Sequence, residues 1–151
     1  MTPLRPEPDS RRPATVAELM RRHFISLAPK DSLLAAFQLM RLARLRVLPV
    51  VREGVLIGVL TYRDLNQALL RELLGSPAPA LEAIPVESVM DAPTVTVAPE
   101  ARLVDAATSL CRSSLGCLPV VEPGQHGPRL LGLVTESDLL RAAFGPDARP
   151  A

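Results

Sequence analysis

Aromatic side chains are almost missing from this chain. Its 151 residues include no Trp, one Tyr and three Phe, so any core has to be aliphatic, built from Leu, Val, Ala and Ile. Cys111 and Cys117 are the only cysteines, too few for a disulfide framework and too oddly spaced for a zinc site. Lys30 is the only lysine; the other basic residues are Arg, interspersed with acids to a net charge of +1. Nucleic-acid binding would need a concentrated basic face, and none is legible. No apolar run approaches the roughly 18 residues that span a bilayer. The Pro- and charge-rich start, Met1 to Pro13, lacks the apolar stretch of a secretory signal. The expected partners therefore include neither nucleic acid nor a membrane, and the expected location is cytoplasmic. Apolar residues are abundant at 48%, enough for a buried core at a length that suits one ordinary domain or two very small ones.

The chain repeats itself. Val16 to Val51 aligns without gaps on Val86 to Val121 at an offset of 70. Val16/Val86, Met20/Met90, Ala28/Ala98, Pro29/Pro99, Leu33/Leu103 and Ala36/Ala106 are identical pairs, and Leu48-Pro49-Val50-Val51 recurs as Leu118-Pro119-Val120-Val121. The offset then grows to 74, because Glu122 to Pro128 replaces the short turn Arg52-Glu53-Gly54. A length change in a Gly/Pro turn is what a surface hairpin tolerates. Beyond it, Gly58-Val59-Leu60-Thr61-Tyr62-Arg63-Asp64-Leu65 answers Gly132-Leu133-Val134-Thr135-Glu136-Ser137-Asp138-Leu139.

Each copy reads alike. Thr15-Val16-Ala17-Glu18 has the spacing of a capping box opening a short helix. Phe24–Leu27 and Thr94–Val97 are predicted short strands, each closed by Ala-Pro. Ser32–Leu45 and Arg102–Leu115 carry helical periodicity. Val47–Val51 with Val55–Leu60, and Cys117–Val121 with Leu130–Val134, predict hairpins. Closing helices over Asp64–Leu74 and Asp138–Phe144 stop at Gly75 and Gly145. The unit is (α)-β-α-β-β-α, an α/β (α+β) fold. The expected boundaries are a flexible tail over 1–13, repeats over 14–75 and 86–146, a Pro-rich linker over 76–85 and a second tail over 147–151. Two such units packed back to back cover the apolar sheet face that one leaves open.

This order, with Leu-Pro-Val-Val and an apolar strand ending in Thr-x-x-Asp-Leu, each present twice, resembles the cystathionine-β-synthase (CBS) domain. The resemblance covers roughly Thr15–Leu74 and Val86–Gly145. It implies two tandem repeats about a pseudo-twofold axis, with clefts for adenosyl compounds such as AMP, ADP, ATP or S-adenosylmethionine. It further implies that Asp64 and Asp138 accept the ribose hydroxyls, and that Thr61 and Thr135 hold a phosphate with nearby backbone N–H groups. Ser26 and Thr96 would read the adenine edge. Val47, Leu48 and Pro49, and Cys117, Leu118 and Pro119, would wall the base, and Gly58 and Gly132 would permit close backbone approach. The residue chemistry is compatible: a carboxylate is favoured in a first helical turn, and a helix N-terminus suits an anion.

The copies differ in charge. Arg46 and Arg63 flank the first motif, where the second has Gly116 and Ser137, so the Asp64 cleft is the one expected to take a phosphorylated nucleotide. Apolar positions on Ser32–Leu45 cover roughly 220° of a wheel at about 100° per residue, more than one buried face needs. The surplus stripe, with Leu39 and Leu42 where the second copy has Ser109 and Arg112, predicts a homodimer. The expected function is a stand-alone regulatory module, not an enzyme, that requires no cofactor. It binds an adenine nucleotide as a regulatory ligand and signals in trans to an unidentified effector protein. The alternatives are a ligand-free dimerisation or scaffold module and, further off, a thiol redox sensor through Cys111 and Cys117. His23 and His126 fall in different units, and no nucleophile–base pair or metal cluster is legible.

Overall fold

The computed structural model describes residues 13–75, 81–93 and 95–145. The expected tails and the start of the linker lie largely outside them. In order, the elements are α1 (Val16–Leu19), α2 (Leu33–Ala43), β1 (Val47–Arg52), β2 (Val55–Thr61), α3 (Tyr62–Leu74), α4 (Leu103–Arg112), β3 (Cys117–Gly124), β4 (Gly127–Thr135) and α5 (Glu136–Phe144). Single 3₁₀ turns at Leu81–Ala83 and Val86–Ser88 join the copies. The expected α+β unit is present twice. Each copy pairs its hairpin in the same register, Val47 opposite Thr61 and Cys117 opposite Thr135, with the same irregularity after Val50 and after Val120. One ladder pair, Val55 opposite Arg129, with the Leu130 amide donating to the Gly54 carbonyl (3.0 Å), joins the hairpins into a four-stranded sheet of order β1-β2-β4-β3.

Several local expectations are corrected. The runs ending at Leu27 and Val97 are not strands of several residues; each makes one parallel bridge, Leu27 with Val50 and Val97 with Val120. The first bridge is formed by backbone bonds on either side of Val50: the Leu27 amide donates to the Pro49 carbonyl (2.8 Å) and the Val51 amide donates to the Leu27 carbonyl (2.8 Å). Thr94 lies outside the described residues. Thr15 stands at the N-cap of α1 but its hydroxyl caps nothing; instead the Glu18 carboxylate accepts from the Ala14 amide at 2.9 Å. The extra residues of the second hairpin do not form a loose loop. They lengthen the ladder through Pro123 opposite Pro128 and Gly124 opposite Gly127.

The sequence copies are not the packing units, because each sends its opening segment into the other. The Val16 and Ala17 amides donate to the Ala101 and Pro99 carbonyls (2.9 and 2.8 Å), while Val86 and Glu87 donate to Asp31 and Pro29 (2.7 and 3.0 Å). The exchanged chain then runs antiparallel to the partner hairpin for one residue, Arg21 beside Leu133 and Asp91 beside Val59. The two aliphatic cores show the same exchange. Val86 is buried with Leu27, Leu33, Met40, Leu48 and Leu60, and Val16 with Val97, Leu110, Leu118 and Val134. A four-residue helix is far too short to be stable alone. Burying its valine in the other copy's core stabilises it by about 1.5–3 kcal/mol and ties the two copies together.

Gly58 and Gly132 permit close approach, but what approaches them is the exchanged segment. A Cβ on Gly132 would stand 2.7 Å from the Arg21 carbonyl oxygen, and one on Gly58 would meet the Met90 sulfur and, at 3.0 Å, the Asp91 carbonyl.

Candidate nucleotide cleft

The turn from β2 into α3 builds the site. Thr61 is the N-cap: its hydroxyl accepts from the Asp64 amide (3.0 Å), and Asp64 Oδ2 accepts from the Thr61 amide (3.0 Å), a reciprocal capping box. The Arg46 carbonyl takes the Tyr62 amide at 2.7 Å. Two of the first-turn amides expected for a phosphate are thus used within the chain. The carboxylate is held rigidly, and Asp64 Oδ1 carries no hydrogen bond among the described residues.

Beside it opens a cavity of about 730 Å³, within the range of about 300–1,000 Å³ typical of small-molecule sites. Arg46 and Val47 at the start of β1, Thr61, and Arg63 and Asp64 of α3 line it, so five expected site residues come together. Neither the Arg46 nor the Arg63 guanidinium makes an ion pair with a described residue. Tyr62, whose ring stacks on Phe37 at 6.4 Å, adds an aromatic wall. Asn66, Gln67 and Leu70 continue the same face of α3, while Asp91, Ser114 and Leu115 enter from the second copy. The cavity therefore lies between the repeats.

The other expected residues are placed differently. Leu48 and Pro49 of β1 are fully buried, and in β3 Leu118 is fully buried as well, with Pro119 buried beside it. They are buried within the strands and do not line the cavity. Ser26 is exposed and does not line it either. Thr96 lines a separate hollow of about 490 Å³ with Val97, Val121 and Pro123.

The second Thr-x-x-Asp repeats the capping box, with Thr135 donating its amide to Asp138 Oδ2 at 3.0 Å. Its environment differs. Asp138 is only 5% exposed; its Oδ1 accepts from Arg21 Nε (3.0 Å) and lies 3.0 Å from Arg21 Nη2 in an ion pair. Both carboxylate oxygens are occupied. Arg21 arrives on the exchanged segment, at the position that Asp91 fills beside the first cleft. Sequence reasoning missed Asp91, Ser114 and Leu115 because they belong to the other copy. The charge reversal between Arg21 and Asp91 at the shared offset was the available signal.

Cys117, half-buried at the start of β3, has its thiol pushed from an ordinary 9.0 up to about 11 by burial. It is protonated at neutral pH, the opposite of what a thiol sensor needs. His23 and His126 are both exposed, and no group of three or more potential metal ligands clusters among the described residues.

The family model for the CBS domain matches residues 16–71 and again 86–145. The chain is a CBS-domain pair. It is 30% identical over 128 residues to a homoserine O-acetyltransferase of Methanococcoides burtonii, a match covering 84% of this chain and 24% of that protein. The chain thus spans about a quarter of that enzyme's length, and the match carries no catalysis over to it. Among solved structures, the AcuB chain of Vibrio cholerae superposes with a TM-score of 0.72 at 30% identity, covering 86% of this CBS pair and 90% of that chain. The CBSX2 chain crystallised in complex with AMP superposes with a TM-score of 0.70 at 25% identity, covering 87% and 97%. The CBSX2 protein is from Arabidopsis thaliana. No helix among the described residues is long and apolar enough to cross a membrane.

Proposed function

We infer that this CBS pair is a non-catalytic regulatory module that binds an adenine nucleotide in the Asp64 cleft and signals to a partner protein in trans. One observation carries the reading: a carboxylate with an unbonded oxygen sits beside two guanidinium groups in a cavity between the repeats. Asp64 Oδ1 is oriented by the capping box and suits the paired hydroxyls of a ribose. Arg46 and Arg63 suit a phosphate. The AMP held by the similar CBSX2 chain supports the ligand class. A ligand seated there touches α3 of one copy and the Ser114–Leu115 turn of the other, so its binding favours one relative placement of the copies. That differential contact is what a population shift requires. The reading includes pairing of two chains through α2, supported by Leu42, which is 85% exposed.

Isothermal titration calorimetry with AMP, ADP, ATP and S-adenosylmethionine tests it. Asp64→Ala removes hydrogen bonds to a charged acceptor, worth about 1.5–3 kcal/mol each before water compensates. Affinity should fall roughly 10- to 100-fold, at tenfold per 1.4 kcal/mol. Arg63→Ala should weaken AMP more than adenosine. Equal binding by the parent and the Asp64→Ala protein would move the site elsewhere. No binding of any adenosyl compound at millimolar concentration would leave the scaffold reading in its place.

A further inference from the structure

The two clefts are built on the same Thr-x-x-Asp frame, and the exchanged segments bring different residues to them. In the second, the Arg21 guanidinium donates from Nε to Asp138 Oδ1 and holds Nη2 at ion-pair distance from the same oxygen, and the Thr135 amide takes Oδ2. A sugar hydroxyl would have to displace a charge-assisted pair from an almost fully buried carboxylate, which a neutral donor cannot match. In the first, the matching residue is Asp91, which cannot pair with Asp64. We propose that this residue pair sets the number of ligands bound: Arg21 is a built-in counter-ion that closes the Asp138 cleft, and Asp91 leaves the Asp64 cleft open. The proposal rests on the adenosyl reading of the Asp64 cleft and adds its stoichiometry.

The latch is removable in principle. The Arg21 side chain is 51% exposed, so it reaches Asp138 from the solvent side and is not part of either core. Removing it opens a cleft in which Gly116 and Ser137 stand where the first has Arg46 and Arg63, Glu136 where it has Tyr62, and Arg44 and Arg141 where it has Ser114 and Gln67. An opened second cleft should therefore take adenosine through the freed Asp138 carboxylate.

Calorimetric titration with adenosine and with AMP reads this out, with circular dichroism confirming each fold. The parent should bind one equivalent of either compound. Arg21→Ala should bind two equivalents of adenosine, and adding Asp138→Ala should return the adenosine count to one. Arg21→Gln, which keeps the length and loses the charge, is the second variant should the alanine protein fold poorly. The reciprocal change, Asp91→Arg, should place a cation beside Asp64 and weaken adenosine at least tenfold, whereas Asp91→Ala should not. A folded Arg21 variant that keeps one adenosine equivalent, or an Asp91→Arg protein that binds like the parent, overturns the proposal. If the parent binds nothing, the adenosyl reading fails, and thermal melts still judge the latch. Asp91→Arg should then raise the melting temperature in a way that Asp64→Ala abolishes, and no such coupling counts against it.

Discussion

The exchange of opening segments can be tested at one atom. Gly132→Ala adds a Cβ that would lie 2.7 Å from the Arg21 carbonyl oxygen and 3.0 and 3.1 Å from Sδ and Cγ of Met20. The methionine can swing aside. The carbonyl cannot, because it accepts from the Leu133 amide at 3.0 Å while the Arg21 amide donates to Leu133 at 2.9 Å. Relief means pushing the exchanged segment off β4. Overpacking of this kind costs about 1–3 kcal/mol, and the two backbone bonds add about 1 kcal/mol each if they break. Alanine returns about 0.4–1 kcal/mol by restricting the unfolded chain. The net loss is about 2–4 kcal/mol, or roughly 5–15 °C in melting temperature at this chain length. Gly58→Ala is the internal control. Its Cβ meets the Met90 sulfur first, which has to swing aside, and the Asp91 carbonyl only at 3.0 Å, which a shift of a few tenths of an ångström relieves, so the loss should be smaller. Differential scanning calorimetry measures both. A Gly132→Ala protein that melts with the parent, or one that melts above Gly58→Ala, would refute the exchanged packing.

Two further outcomes follow from the surface and the thiols. Replacing the exposed Leu42 with Asp should convert a dimeric parent to monomers by light scattering; a parent that is monomeric at micromolar concentration ends that reading. Cys111 is exposed and should react with a thiol reagent well before Cys117, whose thiol ionises only near pH 11. Because the unfolded thiol ionises at its ordinary 9.0, the neutral Cys117 contributes stability below that pH. The contribution is lost as pH rises from there toward 11, and native-state titration by absorbance of the thiolate checks it.

Much of the fold was legible because the sequence states it twice. The hairpins, the α2 and α4 helices and the Thr-x-x-Asp turns each had a matching copy, and their periodicity or turn chemistry is local. The single-residue bridges at Leu27 and Val97 were read as strands because β-rich composition does not reveal how many residues pair. The exchange was not legible. Helix α1 has one full turn, too short for a periodicity, and its partners at Pro99 and Ala101 lie in the other copy. The site divides along the same line. Arg46, Val47, Thr61, Arg63 and Asp64 belong to one β-β-α stretch, so their meeting in one cavity could be anticipated. Leu48 and Leu118 were placed on the walls because an apolar residue beside a motif suits a base as well as a core, and the core took them. The difference in availability between Asp64 and Asp138 depends on Arg21 and Asp91, which only the exchange brings into place.

The most direct test is a crystal structure of the chain grown with AMP. The account predicts one nucleotide per chain, its ribose hydroxyls on Asp64 Oδ1 and its phosphate beside Arg46 or Arg63, with the Arg21–Asp138 pair intact. A nucleotide seated on Asp138 with Arg21 displaced, and nothing beside Asp64, would contradict it.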